Sequence, residues 1–270
     1  AWFSQSLHMS VAAFCATGFA VAGLHAYFLL KGKNREFHLK AFRIAVIFGI
    51  FGAVLAPISG DVAAKSVAKR QPIKLAAMEA HFETEKGASF LIGGIPDEKA
   101  ETVKYGIKIP KLLSFLVDGN PNSEVKGLKD FPKEHWPPVA VTHFAFQIMI
   151  FLGTVMMGIS VLYLFALFFK KNWLEKHWLL KLFIIATPFG YIALEAGWTV
   201  TEVGRQPWII YGIMKTAEAV TPMPGIQYSF YLFTLIFISL SLIIIFLLRR
   251  QIKMVPYLYD STDPLFHTKK

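Results

Sequence analysis

An apolar segment ends in a carboxylate and gives way to a compact polar loop in the stretch Glu195-Ala-Gly-Trp-Thr-Val-Thr-Glu-Val-Gly-Arg-Gln-Pro-Trp208. A carboxylate inside a membrane span costs roughly 2.5 to 3.5 kcal/mol on insertion scales, so it usually has a cation, a proton or a metal as its partner. Glu195 is therefore the first candidate for function. Three roles are open to it: proton relay, structural partner of Arg205, or metal ligand.

The composition around this stretch is typical of an integral membrane protein. Of the 270 residues, 54% are hydrophobic and only 17% are charged, and the mean hydropathy is +0.47. Soluble domains are less apolar and more charged. The net charge of +10 could indicate nucleic-acid binding, but the basic residues lie in short clusters between apolar runs, so we predict no nucleic-acid partner. The single cysteine, Cys15, excludes an internal disulfide framework.

Five apolar segments reach the length of about 20 residues that a helix needs to cross a bilayer. They cover approximately residues 3–30, 42–58, 139–169, 178–198 and 226–248. We therefore predict an all-α integral membrane protein, built as a five-transmembrane-helix bundle with a long extracytoplasmic loop that contains short helices. The predicted divisions are two helices in residues 1–58, the loop in 59–138, three helices in 139–248 and a tail in 249–270.

Lysine and arginine collect after the first, third and fifth segments, and such clusters face the cytoplasm. The N-terminus and loop 59–138 are then predicted to lie outside, and the C-terminus in the cytoplasm. The clusters are Lys31, Lys33, Arg35, Lys40 and Arg43; Lys170, Lys171, Lys176 and Lys181; and Arg249, Arg250 and Lys253.

Three residues that can ligate haem iron share one predicted depth. His8, Met149 and Glu195 lie about eight, eleven and four residues from the outer ends of their spans, which is roughly 6 to 17 Å at 1.5 Å per residue. Axial histidine with methionine is a known arrangement for an electron-transfer haem. The alternatives are a helix–helix hydrogen bond for His8 and simple packing for Met149.

Polar residues outside the spans add a second set of candidates. The Arg205 guanidinium could hold a carboxylate in bidentate fashion, although Arg205 could equally be an interfacial anchor, with Trp208 in the aromatic belt. Lys74 and Glu79 fall on a short predicted amphipathic helix, where they could bind and deprotonate a polar head group. On pattern alone, a solvated helix face is favoured for them.

Five motifs, in order along nearly the whole chain, resemble subunit I of the cytochrome bd quinol oxidases. They are His8-Met-x-x-Ala12, Gln71-Pro-x-Lys-Leu-Ala-Ala-Met-Glu79, Phe146-Gln-x-Met149, Glu195-Ala-Gly-Trp and Gly204-Arg-Gln-Pro-Trp208. The resemblance implies a haem-binding subunit of a quinol:oxygen oxidoreductase in a bacterial or archaeal cytoplasmic membrane. The first and third motifs imply that His8 and Met149 ligate a low-spin haem b.

The resemblance also implies the remaining sites. Glu195 would ligate a high-spin haem b, and quinol would be oxidised at Lys74 and Glu79. Arg205, Trp208 and Gln147 would belong to the haem surroundings. The oxygen-reducing centre would contain haem d or a third haem b shared with a partner chain.

The family's subunit I has nine spans, and this chain corresponds to the last five. The resemblance therefore implies as partners an N-terminal half of subunit I on a separate chain, a second large membrane subunit and membrane lipid, with a small single-helix subunit as a further candidate. A second function is open: a haem-carrying electron-transfer subunit of a quinone-linked complex that does not reduce oxygen. A transporter with an intramembrane acid is a third.

Overall fold

The computed structural model describes residues 2–32, 34–220 and 222–258. Five helical segments in it are long and apolar enough to cross a membrane, which confirms the predicted fold class. They are Phe3–Leu30, Arg35–Arg70, Val139–Phe169, His177–Val203 and Ile226–Met254.

The helices are α1 (Trp2–Leu30), α2 (Arg35–Arg70), α3 (Pro72–Met78), α4 (Leu112–Asp118), α5 (Val139–Phe169), α6 (His177–Ala186), α7 (Phe189–Val203) and α8 (Ile226–Leu258). The strands are β1 (Glu85–Lys86), β2 (Phe90–Ile92), β3 (Ile95–Asp97), β4 (Thr102–Lys104), β5 (Ile107–Ile109), β6 (Glu124–Val125), β7 (Trp208–Ile210) and β8 (Met214–Lys215). The strands form antiparallel two-stranded ladders, in which β1 pairs with β6, β2 with β5, β3 with β4 and β7 with β8.

Helix α1 is the centre of the bundle, and small residues let its neighbours approach closely. A Cβ atom added to Gly18 of α1 would lie 2.3 Å from the backbone nitrogen of Gly49 on α2. A Cβ added to Gly190 of α7 would lie 2.3 Å from the Cα atom of Ala16 on α1. Small residues at helix interfaces are typical of membrane bundles because they bring the backbones into contact.

Three spans differ from the predicted ranges, and one of them is α8, which continues ten residues beyond position 248 to Leu258. Helix α2 continues 12 residues beyond position 58 and ends at Arg70. The fourth span is broken between α6 and α7 at Pro188, which has no backbone N–H to continue the helix. Helix α7 then continues to Val203, so Glu195 lies eight residues, about 12 Å, before its end.

Residues 71–138 form a compact layer over one end of the bundle, which we call the outer end. Helix α1 begins and α2 ends there, as α5 begins and α7 ends. Two small apolar cores hold the layer together, one around Ile73 and Leu128 and the other around Leu75 and Leu113. The loop therefore contains the predicted short helices, and in addition three of the four ladders.

Helix α8 stands apart from this bundle. None of the residues in its most apolar window is buried, whereas 28 to 39% of the corresponding windows of the other four spans are. Its large apolar side chains, such as Phe237 and Ile243, remain exposed within the described part of the chain.

Candidate functional site

His8 is held by α2 through Nδ1, which lies 2.9 Å from the Ser59 hydroxyl oxygen. That hydroxyl also lies 3.0 Å from the Leu55 carbonyl and 3.1 Å from the Ala56 carbonyl of its own helix. When it donates its single hydrogen to one of these carbonyls, it accepts from Nδ1, and the lone pair of Nε2 is then free for a metal. A hydrogen bond of this kind is typical of metal-bound histidine.

Met149 is held between α5 and α7. A Cβ atom added to Gly197 would lie 3.1 Å from the Met149 sulfur, so the glycine of the Glu195-Ala-Gly-Trp motif makes room for the thioether. Met149 also packs against a small buried cluster that includes Met78 and Val200. The side chain is only partly buried.

His8 and Gly197 lie at one level of the bundle. Helices α1 and α7 run antiparallel and touch at Ala16 and Gly190. His8 lies eight residues outward from Ala16, and Gly197 lies seven residues outward from Gly190, which is about 12 Å and about 10 Å. The structure thus brings His8 and Met149 to the same depth on neighbouring helices.

Glu195 lies on an exposed face of α7. Its backbone carbonyl accepts from the Thr199 hydroxyl at 2.9 Å, but its carboxylate forms no ion pair with Arg205 among the described residues. Glu202, two helical turns later, is exposed on the same face because seven residues return a helix to nearly the same direction. Sequence reasoning did not single out Glu202, although it lies three residues before Arg205.

Lys74 is buried, with 5% of its surface exposed. Its ammonium group donates to the Thr201 carbonyl at 3.1 Å, in the last turn of α7, where carbonyl groups lack helical partners. Gly204 leaves space for this side chain, since a Cβ there would lie 3.3 Å from Lys74 Cε. Burial, then the charge of Arg205, lower the pKa of Lys74 to about 8, against an opposing effect of Glu202.

Glu79 is buried at the end of α3, with 4% of its surface exposed. Its Oε2 atom has no hydrogen-bond partner among the described residues. Burial raises the pKa of Glu79 to about 8, and a hydrogen bond from the backbone of Leu91 partly opposes the rise. The solvated helix face favoured by the sequence pattern for Lys74 and Glu79 is therefore wrong, because the loop layer folds over both residues.

Two further residues of α5 contact the segment that covers Glu79. Gln147 donates to the Leu91 carbonyl at 2.9 Å and accepts from the Gly93 amide at 3.0 Å. His143, fully buried, lies 2.9 Å from the Met78 carbonyl through Nδ1 and 3.2 Å from the Gly93 carbonyl through Nε2. Both partners of His143 are backbone atoms distant in sequence, so no local sequence pattern indicates them.

The Gly204–Trp208 loop contains two buried donors without acceptors among the described residues: Arg205 Nε and Trp208 Nε1. The Trp208 ring packs against His135, with ring centroids 5.0 Å apart, and the Lys215 ammonium lies 5.5 Å from its centroid. Buried N–H groups without acceptors are rare in folded proteins, so the loop is suited to bind an acceptor such as a carboxylate.

The chain is similar to known proteins along almost its whole length. A family model described as cytochrome bd terminal oxidase subunit I matches residues 1–256. A putative cytochrome bd menaquinol oxidase subunit I of Bacillus subtilis (strain 168) is 34% identical over 259 residues, which are 94% of this chain and 58% of that protein. Cytochrome bd-II ubiquinol oxidase subunit 1 of Escherichia coli (strain K12) is 25% identical over 326 residues, covering 96% of this chain and 63% of that protein.

Solved structures match as well. A chain of the bd oxidase from Geobacillus thermodenitrificans superposes with a TM-score of 0.83 at 34% identity, covering 93% of this chain and 57% of that chain. The chain thus spans less than two thirds of the length of these relatives.

Proposed function

Because the chain belongs to the cytochrome bd terminal oxidase subunit I family, we propose that it is the quinol-oxidising, haem-binding part of a quinol:oxygen oxidoreductase. The observation that carries this proposal is that Lys74 and Glu79 are each buried in the loop layer, at the end of the bundle where Met149 and His8 lie. Buried ionisable side chains with shifted pKa values are typical of sites that move protons.

Glu79 and Lys74 have complementary tasks in this proposal. Oxidation of a quinol to a quinone releases two electrons and two protons, so the site needs a proton acceptor. Glu79 in its carboxylate form accepts a hydroxyl proton, and its unpartnered Oε2 atom is free to do so. The Lys74 ammonium donates to a quinol oxygen and compensates the negative charge that develops there.

His8 and Met149 would hold the low-spin haem b by its iron. The support is the contact of His8 Nδ1 with Ser59, which leaves Nε2 available, the shared depth of the two side chains and the space that Gly197 leaves for the thioether. Bound haem supplies reversible one-electron transfer and, where a coordination position is open, oxygen binding. Arg205 and Trp208 would hold a haem carboxylate through their unpartnered N–H groups, and Gln147 would lie beside the site.

For the high-spin haem b we propose a ligand from the exposed acidic face of α7. Glu195 is the ligand predicted from the sequence, and Glu202 is the alternative that the structure adds. Spectra of Glu195→Gln and Glu202→Gln variants of the assembled complex distinguish the two. The ligand variant loses the high-spin haem signal, while the other variant retains it. Retention of that signal in both variants would exclude this face of α7.

The remaining spans of subunit I, a second large subunit and a small single-helix subunit are the proposed protein partners, and haem d or a further haem b would complete the oxygen site. The matching relatives are longer than this chain, and Glu195 is left exposed by it, which supports the need for more protein around α7. In a bacterial or archaeal cytoplasmic membrane, the outer end would face away from the cytoplasm, as the lysine and arginine clusters predict.

The decisive test is oxygen uptake by the purified complex with a short-chain benzoquinol and with a short-chain naphthoquinol. Quinol-driven uptake together with b-type haem bands in the reduced-minus-oxidised spectrum is the expected result. Haem bands and quinol oxidation without oxygen uptake would instead support an electron-transfer subunit of a quinone-linked complex. Absence of any b-type haem would contradict both functions.

A further inference from the structure

His143 and Gln147 lie one helical turn apart on α5, at positions i and i+4, and so present their side chains on one face. Both point at backbone atoms of the outer layer, across sequence separations of 50 to 65 residues. The two outer segments that they reach are Met78, immediately before Glu79, and Leu91 to Gly93. These segments carry Glu79 and cover it.

The contacts of His143 are unusual because both ring nitrogens face carbonyl oxygens. Nδ1 lies 2.9 Å from the Met78 carbonyl and Nε2 lies 3.2 Å from the Gly93 carbonyl. Carbonyl oxygens only accept, so the ring donates to one of the two carbonyls and lies against the other, depending on which nitrogen carries the hydrogen. A fully buried ring that contacts both carbonyls ties two chain segments to one helix.

Glu79 needs such support because little else fixes its carboxyl group. The backbone of Leu91 donates to it, and Oε2 has no partner among the described residues. Leu91 in turn is held by Gln147 through its carbonyl. Any movement of Met78 or of Leu91–Gly93 relative to α5 would therefore move the carboxyl group that we propose as proton acceptor.

We propose that His143 is a positioning residue for quinol oxidation: through its contacts with the Met78 and Gly93 carbonyls, it fixes Glu79 relative to α5 and so to Met149, six residues further along the helix. This inference rests on the proposed quinol site. His143 itself touches neither quinol nor haem in this proposal. Its effect is to hold the carboxyl group of Glu79, the proposed proton acceptor, at a fixed position relative to Met149, where the proposed electron acceptor would bind.

Substitutions of His143 can remove its two contacts one at a time. Asparagine places an N–H donor near the position of Nδ1, and glutamine places one near the position of Nε2. His143→Asn therefore keeps the contact to Met78 and loses that to Gly93, while His143→Gln does the reverse. His143→Ala loses both, and Val141→Ala, at an exposed position on the same helix, is the matched control.

In the assembled complex, His143→Ala should lower kcat for quinol oxidation by about tenfold to hundredfold with little change in KM, since small misplacements of a reacting group have effects of that size. The Asn and Gln variants should each recover part of the loss. The low-spin haem band should keep its position and intensity in all of them, because no iron ligand has changed.

Two results would overturn the inference. One is a His143→Ala complex with normal haem content and wild-type kcat. The other is an equal loss in the Ala, Asn and Gln variants, which would indicate that only ring packing matters. If the Ala variant fails to assemble, the Asn and Gln variants, which fill most of the ring space, decide between the same outcomes.

A readout without turnover separates this inference from the proposed function. Exposed Lys86 and Lys108 lie in the strands next to or paired with the covering segment, so tryptic cleavage of the outer layer should be faster in His143→Ala than in Val141→Ala. That difference is expected even if the wild-type complex oxidises no quinol. Equal cleavage rates would exclude the positioning role of His143, whether or not the complex oxidises quinol.

Discussion

The surroundings of Glu79 and those of Glu195 are completed to different degrees by this one chain. Glu79 is enclosed on all sides by the chain itself, with α3 below it and the Leu91 segment over it. Glu195 lies on the open side of α7 and is exposed within the described part of the chain. Glu195 was a candidate as an acid inside a predicted span, and Glu79 as an acid on a short predicted helix outside the spans.

The difference shows which of the two acids this chain encloses by itself. A buried carboxyl group with a raised pKa needs a closed environment, and the loop layer supplies one for Glu79. The acidic face of α7 has no such cover here, so the chemistry proposed for it requires protein from outside these residues. Among the described residues, the chain therefore encloses Glu79 and leaves the surface around Glu195 open.

The largest effect on activity is expected from a substitution at Met149, near the enclosed Glu79. Met149→Leu keeps the volume of the side chain but removes the sulfur, so the low-spin haem band should disappear from the reduced spectrum and quinol-driven turnover with it. Met156→Leu, at a buried methionine on the same helix, is the control and should keep both. An unchanged low-spin band in Met149→Leu would show that this side is not the haem site.

Removing the proton acceptor should have the next largest effect. Glu79→Gln keeps the shape and burial but cannot take a proton, so kcat for quinol oxidation should fall by about 100-fold or more. Glu85→Gln, at an exposed position of the same layer, should remain near the wild-type rate. Comparable rates in the two variants would remove the functional distinction between enclosed and open acids.

The rate of quinol oxidation should have a narrow maximum near pH 8. The pKa of Glu79 is raised to about 8, so the carboxylate that accepts protons forms as the pH rises through 8. The pKa of Lys74 is lowered to about 8, so its charge is lost over the same range. Activity should therefore rise and then fall, which steady-state rates from pH 6 to 10 would reveal.

Lys74→Arg tests the falling limb separately. A guanidinium stays charged far above pH 8, so this limb should move to higher pH in the variant while the rising limb stays in place. A profile that does not respond to the substitution would assign the falling limb to another group.

A smaller effect should follow from Gly197→Ala. The new Cβ would lie 3.1 Å from the Met149 sulfur, so the thioether must shift by a few tenths of an ångström. We expect the low-spin haem to remain, with a displaced midpoint potential and a stability loss of about 1 to 3 kcal/mol. Gly153→Ala on α5, with nothing within 4 Å of its new Cβ, is the control, and redox titration is the measurement.

The sequence predicted the five spans because hydropathy and the lysine and arginine clusters record the bilayer directly. It underestimated α2, whose last three turns contain Asp61, Lys65 and Arg70 and so resemble a loop in composition. In the structure the Asp61–Lys65 ion pair, 2.6 Å long and four residues apart, supports these turns as helix. The ladders, with strands of two or three residues, are too short for a periodic signal.

Within the site, the chemically distinctive side chains were predictable and their supports were not. His8, Met149, Lys74 and Glu79 carry recognisable motifs. Ser59, which contacts His8 Nδ1, and His143, which contacts two carbonyl groups, act through contacts between residues 50 or more positions apart. Such contacts exist only after the helices have packed, so no local sequence pattern predicts them.

The isolation of α8 has a consequence for biogenesis. Its mean hydropathy of 2.8 exceeds the 1.6 to 2.3 of the other spans, so it can leave the translocon for lipid without waiting for a neighbour. The other helices carry polar groups whose partners lie outside their own helix, such as His8, which contacts Ser59, and His143, which contacts Met78 and Gly93. A chain whose bundle fails to close would therefore still be anchored through α8, with polar side chains open to lipid as a signal for membrane quality-control proteases.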